Sequence, residues 1–98
     1  MNIPPLQRVV EDLVEKFTAG EEVTVGLLSK RCKYVLLRID LNPKRAIGRL
    51  IKLGILHDIG KKKHRWVLLE DCMAIYYARV NSKGFDQSIL FTGEEKEC

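Results

Sequence analysis

Apolar residues near the start of the chain recur at intervals of three and four. Leu6, Val9, Val10, Leu13, Val14 and Phe17 form one stripe, and Arg8, Glu11, Asp12, Glu15 and Lys16 fall elsewhere. This spacing predicts an amphipathic helix. Pro4 and Pro5 suit its entrance, where a missing N–H costs little, and Gly20 suits its end. Glu22-Val23-Thr24-Val25 is short and β-branched, and reads as a brief strand leading into a turn. Thr24 is placed to cap a second helix, on which Val25, Leu28, Cys32, Val35, Leu36 and Ile39 share one side. The pattern leaves open whether that helix runs to Arg38 or breaks near Tyr34, because Tyr34-Val35-Leu36-Leu37 also suits a strand.

The next boundary is sharper. Asn42 followed by Pro43 is an N-cap with proline at the first helical position. A third helix follows, with Ala46, Ile47, Leu50, Ile51 and Leu53 facing inward and Gly54 ending it in a left-handed turn. Lys44, Arg45, Arg49 and Lys52 remain for the outer side, with Gly48 among them. Two apolar-rich runs, residues 55–59 and 65–69, then read as a hairpin joined by Gly60-Lys61-Lys62-Lys63-His64. Asp71 is placed to cap a helix through Val80, with Cys72, Ile75, Tyr76 and Val80 on one side, although Ile75-Tyr76-Tyr77 has strand propensity as well. Residues 81–84 are a break. Ser88-Ile89-Leu90-Phe91 is an apolar patch suited to docking on a neighbour, and residues 93–98 form an acidic end.

With 98 residues, 46% of them hydrophobic and 31% charged, the chain has room for one modest core and the make-up of a folded domain. No apolar run approaches the ~18 residues of a membrane span. The start, Met1-Asn2-Ile3-Pro4-Pro5, lacks the pattern of a signal peptide. Cys32, Cys72 and Cys98 are odd in number and widely spaced, which is no disulfide framework. The expectation is an intracellular protein of the cytoplasm or nucleoid. Abundant Lys, Arg and Ile with little Gln give the composition an archaeal, heat-adapted character.

Charge changes the picture most. The net charge is +4, but residues 30–65 hold twelve basic residues against Asp40 and Asp58, a local balance of +10. The segments before and after each carry −3. A basic middle between acidic flanks points to a polyanionic partner.

The order of predicted elements is helix, short strand, helix, helix, hairpin, helix. With the run Ile47-Gly48-Arg49-Leu50-Ile51-Lys52-Leu53-Gly54-Ile55-Leu56 leading into a basic hairpin, the chain resembles the winged helix-turn-helix superfamily over about residues 4 to 70. The resemblance implies an α+β fold: a three-helix core, a two- or three-stranded β-wing and an additional C-terminal helix or segment. Residues 1–70 would form the winged-helix domain. Residues 71–98 would be a helix and acidic tail, packed on that domain or mediating dimerisation. In that family the helix before the Gly-Ile-Leu step is the recognition helix and the hairpin is the wing. Residues 23–31, with Arg45-Ala46-Ile47 and Gly54-Ile55-Leu56, also resemble a winged-helix protein of the archaeal and eukaryotic small ribosomal subunit, which keeps RNA in view.

The expected function is binding of double-stranded DNA, sequence-tolerant or sequence-specific, by a transcriptional regulator or chromatin-associated factor. Lys44, Arg45, Arg49 and Lys52 would enter the major groove, where Arg and Lys reach guanine O6 and N7. Lys61, Lys62, Lys63, His64 and Arg65 would grip phosphates, which position the protein without reading sequence. Lys30 and Lys33, beside Arg31, would brace the backbone. Each group also has a plainer reading as a solvated face, and Trp66 reads as core packing rather than a base-stacking platform. The alternatives are a protein-binding winged helix using residues 89–91 or Tyr76-Tyr77, and an RNA- or ribosome-binding one. A homodimer through residues 72–91 is a further possibility. His57, His64 and Cys72 match no zinc spacing, and no nucleophile, phosphate-binding or carboxylate motif is present. Neither metal, cofactor nor enzymatic activity is expected.

Overall fold

The computed structural model describes residues 4–60 and 63–90. Its elements are α1 (Pro5–Lys16), β1 (Glu22–Val23), α2 (Val25–Arg31), α3 (Lys33–Arg38), α4 (Pro43–Lys52), β2 (Leu56–Gly60), β3 (Lys63–Trp66) and α5 (Leu69–Val80), followed by a 3-10 turn at Gln87–Leu90. Among the described residues the chain is α+β, with five α-helices and a three-stranded antiparallel sheet in the order β1-β3-β2.

Four helices precede the hairpin, one more than expected, because the second helical stretch breaks at Cys32. That residue leaves helical geometry (φ −107°, ψ 26°) and serves as C-cap of α2 and N-cap of α3. The break lies two residues before Tyr34, and Tyr34-Val35-Leu36-Leu37 is helical rather than extended. The helix ends follow local chemistry. The Thr24 hydroxyl accepts from the Leu27 amide at 3.1 Å, and the Asn42 side-chain Oδ1 accepts from the Lys44 amide at 2.8 Å. Both α3 and α4 close with paired hydrogen bonds around a left-handed residue. After α4 that residue is Gly54 (φ +82°), with Ile55 N–H donating to the Leu50 carbonyl. After α3 it is Asp40 (φ +55°), with Leu41 N–H donating to the Leu36 carbonyl. Asp tolerates this conformation better than most residues with a Cβ.

The last helix starts earlier than expected, at Leu69, and its N-cap is Leu68 rather than Asp71. Glu70 and Asp71 lie in its first turn, where the helix dipole favours them. α5 packs along α1. Cys72 and Tyr76 are buried in the same core as Leu6, Val9, Val10 and Leu13 of α1, so residues 69–80 share the core of the preceding elements. Ile89 and Leu90 are buried too, and the 3-10 turn lies against α1.

An aromatic stack joins helices to sheet. The Trp66 ring on β3 lies 5.7 Å from Phe17 at an interplanar angle of 19°. The Arg31 guanidinium sits 4.6 Å from the centre of the Phe17 ring. It also pairs with Glu21 at 2.8 Å and donates to the Lys16 carbonyl at 3.2 Å. The Thr18 amide, with Arg31 beside it, holds the Glu21 carboxyl below its ordinary pKa. Arg31 thus closes the α1–α2 corner.

Burial pushes the Cys32 thiol up to about 12 and the Cys72 thiol up to about 11. Both thiols should therefore resist alkylation at mildly alkaline pH in the native protein and react freely once it is unfolded. A folded-state pKa above the unfolded one means that the protonated thiol favours folding. Stability from this source is full below about pH 9 and falls as pH rises through the folded values. Denaturant titrations across that range check the direction. Rapid labelling of both thiols in native protein would contradict their burial.

Candidate nucleic-acid interface

α4 presents two faces of different chemistry. Ala46, Ile47, Leu50 and the capping Leu53 are buried, and the helix packs on α2 and β2. Lys44, Arg45, Gly48 and Lys52 are exposed. At about 100° per residue these four span one arc of the helix surface of roughly 100°. The helix holds no carboxylate, so its own charged side chains are all cations.

Arg49 departs from expectation. It lies about 40° beyond Arg45 around the helix, on the flank that turns into the molecule. Only 5% of it is exposed. It is enclosed rather than outward, and cannot be counted with the cations available to a groove. Its position between Arg45, one turn before it, and Leu53, one turn after it, was the available signal. A residue between an exposed and a buried neighbour on the same flank lies at the boundary of the helix face.

The hairpin also differs. β2 runs to Gly60 and β3 begins at Lys63, so Lys63 and His64 belong to the sheet rather than to the connection. Side chains on β3 alternate, with His64 and Trp66 buried and Arg65 exposed between them. His64 pairs across the sheet with Val23 on one side and Asp58 on the other, and its Nδ1 lies 4.0 Å from the Asp58 carboxylate. With 8% of its surface exposed, His64 is not available for the phosphate contact expected of it. Arg65 is opposite Glu22 in the strand register, with 3.7 Å between guanidinium and carboxylate. Its charge is therefore partly matched within the protein. Lys61 and Lys62 lie outside the described residues. Beside them the β2 end is irregular, with Gly60 at φ +130° and its amide held by the Asp58 carboxylate at 2.9 Å.

Lys30 and Lys33 are exposed on α2 and α3. α3 further exposes Tyr34 (82%) and Leu37 (67%), which the sequence pattern had not marked as surface residues. Leu37 also lines, with Arg45, an open hollow of about 470 Å³ at the α3–α4 turn. Tyr77 is half exposed, and its hydroxyl accepts from Gln7 of α1 at 3.2 Å.

Among the described residues no group of three or more His, Cys, Asp and Glu side chains is arranged to hold a metal ion, and no helix is long and apolar enough to cross a membrane. No family model, curated protein or solved structure matches the chain.

Proposed function

We propose that this is a winged-helix domain that binds double-stranded DNA, with α4 lying in the major groove. One observation carries the reading: the cationic arc of Lys44, Arg45 and Lys52 on a helix that exposes no carboxylate. An α-helix is about 10–12 Å across with its side chains, and the B-DNA major groove is about 12 Å wide. The order of elements supports the choice of helix, since α4 precedes the Gly54-Ile55-Leu56 step and a hairpin. Lys30 and Lys33 would meet flanking phosphates, and the cations of residues 61–63 would add phosphate contacts that do not read sequence. The role suggested is that of a transcriptional or chromatin-associated factor.

Self-repulsion among neighbouring cations is relieved when phosphates replace their counterions. If Lys30, Lys33, Lys44, Arg45 and Lys52 each neutralise one phosphate, log K should fall against log salt with a slope of about −4.5. A fluorescence-anisotropy titration with duplex DNA across a salt series reads this directly, and a slope near zero would sink the proposal. Equal or tighter binding of structured RNA at the same salt would move the assignment from DNA to RNA.

The protein-binding reading loses part of its expected patch, since Ile89, Leu90 and Tyr76 are buried, while Tyr77 stays half exposed and Phe91 lies outside the described residues. Exposed Tyr34 and Leu37 on α3 favour that reading at a different place.

A further inference from the structure

Gly48 stands in the middle of α4, one turn after Lys44 and one turn before Lys52, at the centre of the exposed cationic arc. Glycine weakens a helix interior relative to alanine, because it has the most backbone freedom to lose. The fold gives it no compensating task. Its φ is not positive, unlike that of Gly20, Gly54, Gly60 and Gly84, so no left-handed turn requires it. A Cβ built there meets nothing within 4 Å among the described residues, so none of them packs against this position. Gly54, by contrast, is needed for its φ and has Ile75 beside it.

We propose that Gly48 is the point of closest approach between α4 and the DNA duplex. Its missing side chain lets the helix backbone sit directly against the groove floor while Lys44, Arg45 and Lys52 reach past it to either side. This assignment rests on the DNA-binding reading of α4. The groove is hardly wider than a helix with its side chains, so the residue at the deepest point of the arc has the least room. Long cationic side chains accommodate this by lying along the groove walls. A side chain at position 48 points straight at the floor.

The test uses the 98-residue chain with a pool of random DNA duplexes of about 20 base pairs at about 100 mM salt. Gly48→Ala should raise the melting temperature by about 4 °C, through helix propensity. It should also weaken DNA binding about tenfold, as a misfitted group does at a packed contact. Gly48→Lys adds a fourth cation to the arc and should bind no more tightly than the unaltered chain. If binding were governed by charge alone, Gly48→Lys would bind more tightly, and that result would overturn the assignment. Equal affinity of Gly48→Ala and the unaltered chain would also overturn it, while leaving the DNA-binding reading intact. So would a lower melting temperature for Gly48→Ala, since Gly48 would then serve the fold. If the unaltered chain fails to bind duplex DNA, the DNA-binding reading fails and this assignment with it.

Discussion

Trp66→Ala is expected to lower the melting temperature by about 20 °C or to leave the chain unfolded at ambient temperature. Removing a buried aromatic of this size costs about 3–5 kcal/mol, because transfer energy is lost and the cavity does not close. A domain of this size has only about 5–15 kcal/mol in all, and each kcal/mol moves its midpoint by about 4–8 °C. Trp66 is a severe case because of its place. It is 2% exposed, lies on the central strand of the sheet and stacks on Phe17, which carries the Arg31 guanidinium in turn. Its loss therefore loosens the sheet and the α1–α2 corner together. Trp66→Phe should cost much less. It keeps an aromatic for the stack, and the indole Nε1 it removes is buried with no hydrogen-bond partner among the described residues. Circular dichroism melts of the two variants check the order. Trp66 is the only tryptophan in the chain, so its fluorescence is a clean reporter. Buried as it is, its emission should stay unchanged when duplex DNA is added. Strong quenching on binding, or an alanine variant melting with the unaltered protein, would contradict the core role.

The features that could be read from sequence have local causes. The stripe of α1, the Thr24 and Asn42–Pro43 caps and the left-handed Gly54 each depend on residues within a turn or two of one another. The inward aromatic at Trp66 followed from simple alternation along β3. What could not be read depends on contacts distant in sequence or on competition between close alternatives. The break at Cys32 is one such case. Its side chain fits the apolar stripe of a continuous helix, so the pattern does not reveal where the backbone leaves helical geometry. Asp40 is another. A left-handed residue other than glycine announces itself poorly, although Asp is among the few that tolerate it. His64 follows three lysines and so reads as part of a turn, yet pairing with both Val23 and Asp58 fixes it within the sheet. Arg49 shows the limit for the site itself. Counting cations on a helix does not tell an exposed one from one on the flank, where the neighbouring elements decide.

Charge reversal on α4 should separate the site from the fold. The triple variant Lys44→Glu, Arg45→Glu and Lys52→Glu is expected to lose at least about 10³-fold in duplex-DNA affinity at about 100 mM salt. The estimate comes from counterion release. Each phosphate contact contributes about 0.9 to the salt slope, so losing one costs roughly eightfold at that salt and losing three roughly 500-fold. Glutamates facing phosphates then add repulsion. The slope itself should become shallower by about three units. Stability should change little, because all three side chains are exposed and Glu is a helix former similar to Lys and Arg. Lys44 and Arg45 stand in the first turn of α4, where the helix dipole disfavours cations and favours carboxylates. Two of the three reversals should therefore stabilise the helix slightly, while the Lys52 change at its end acts in the opposite sense. Arg49 is left in place because it is buried, and altering it would confound binding with folding. The decisive comparison is the melting temperature against the anisotropy titration for the same preparation. A variant that melts with the unaltered protein and no longer binds DNA locates the interface on α4. A variant that binds DNA with undiminished affinity and slope moves the interface off this helix.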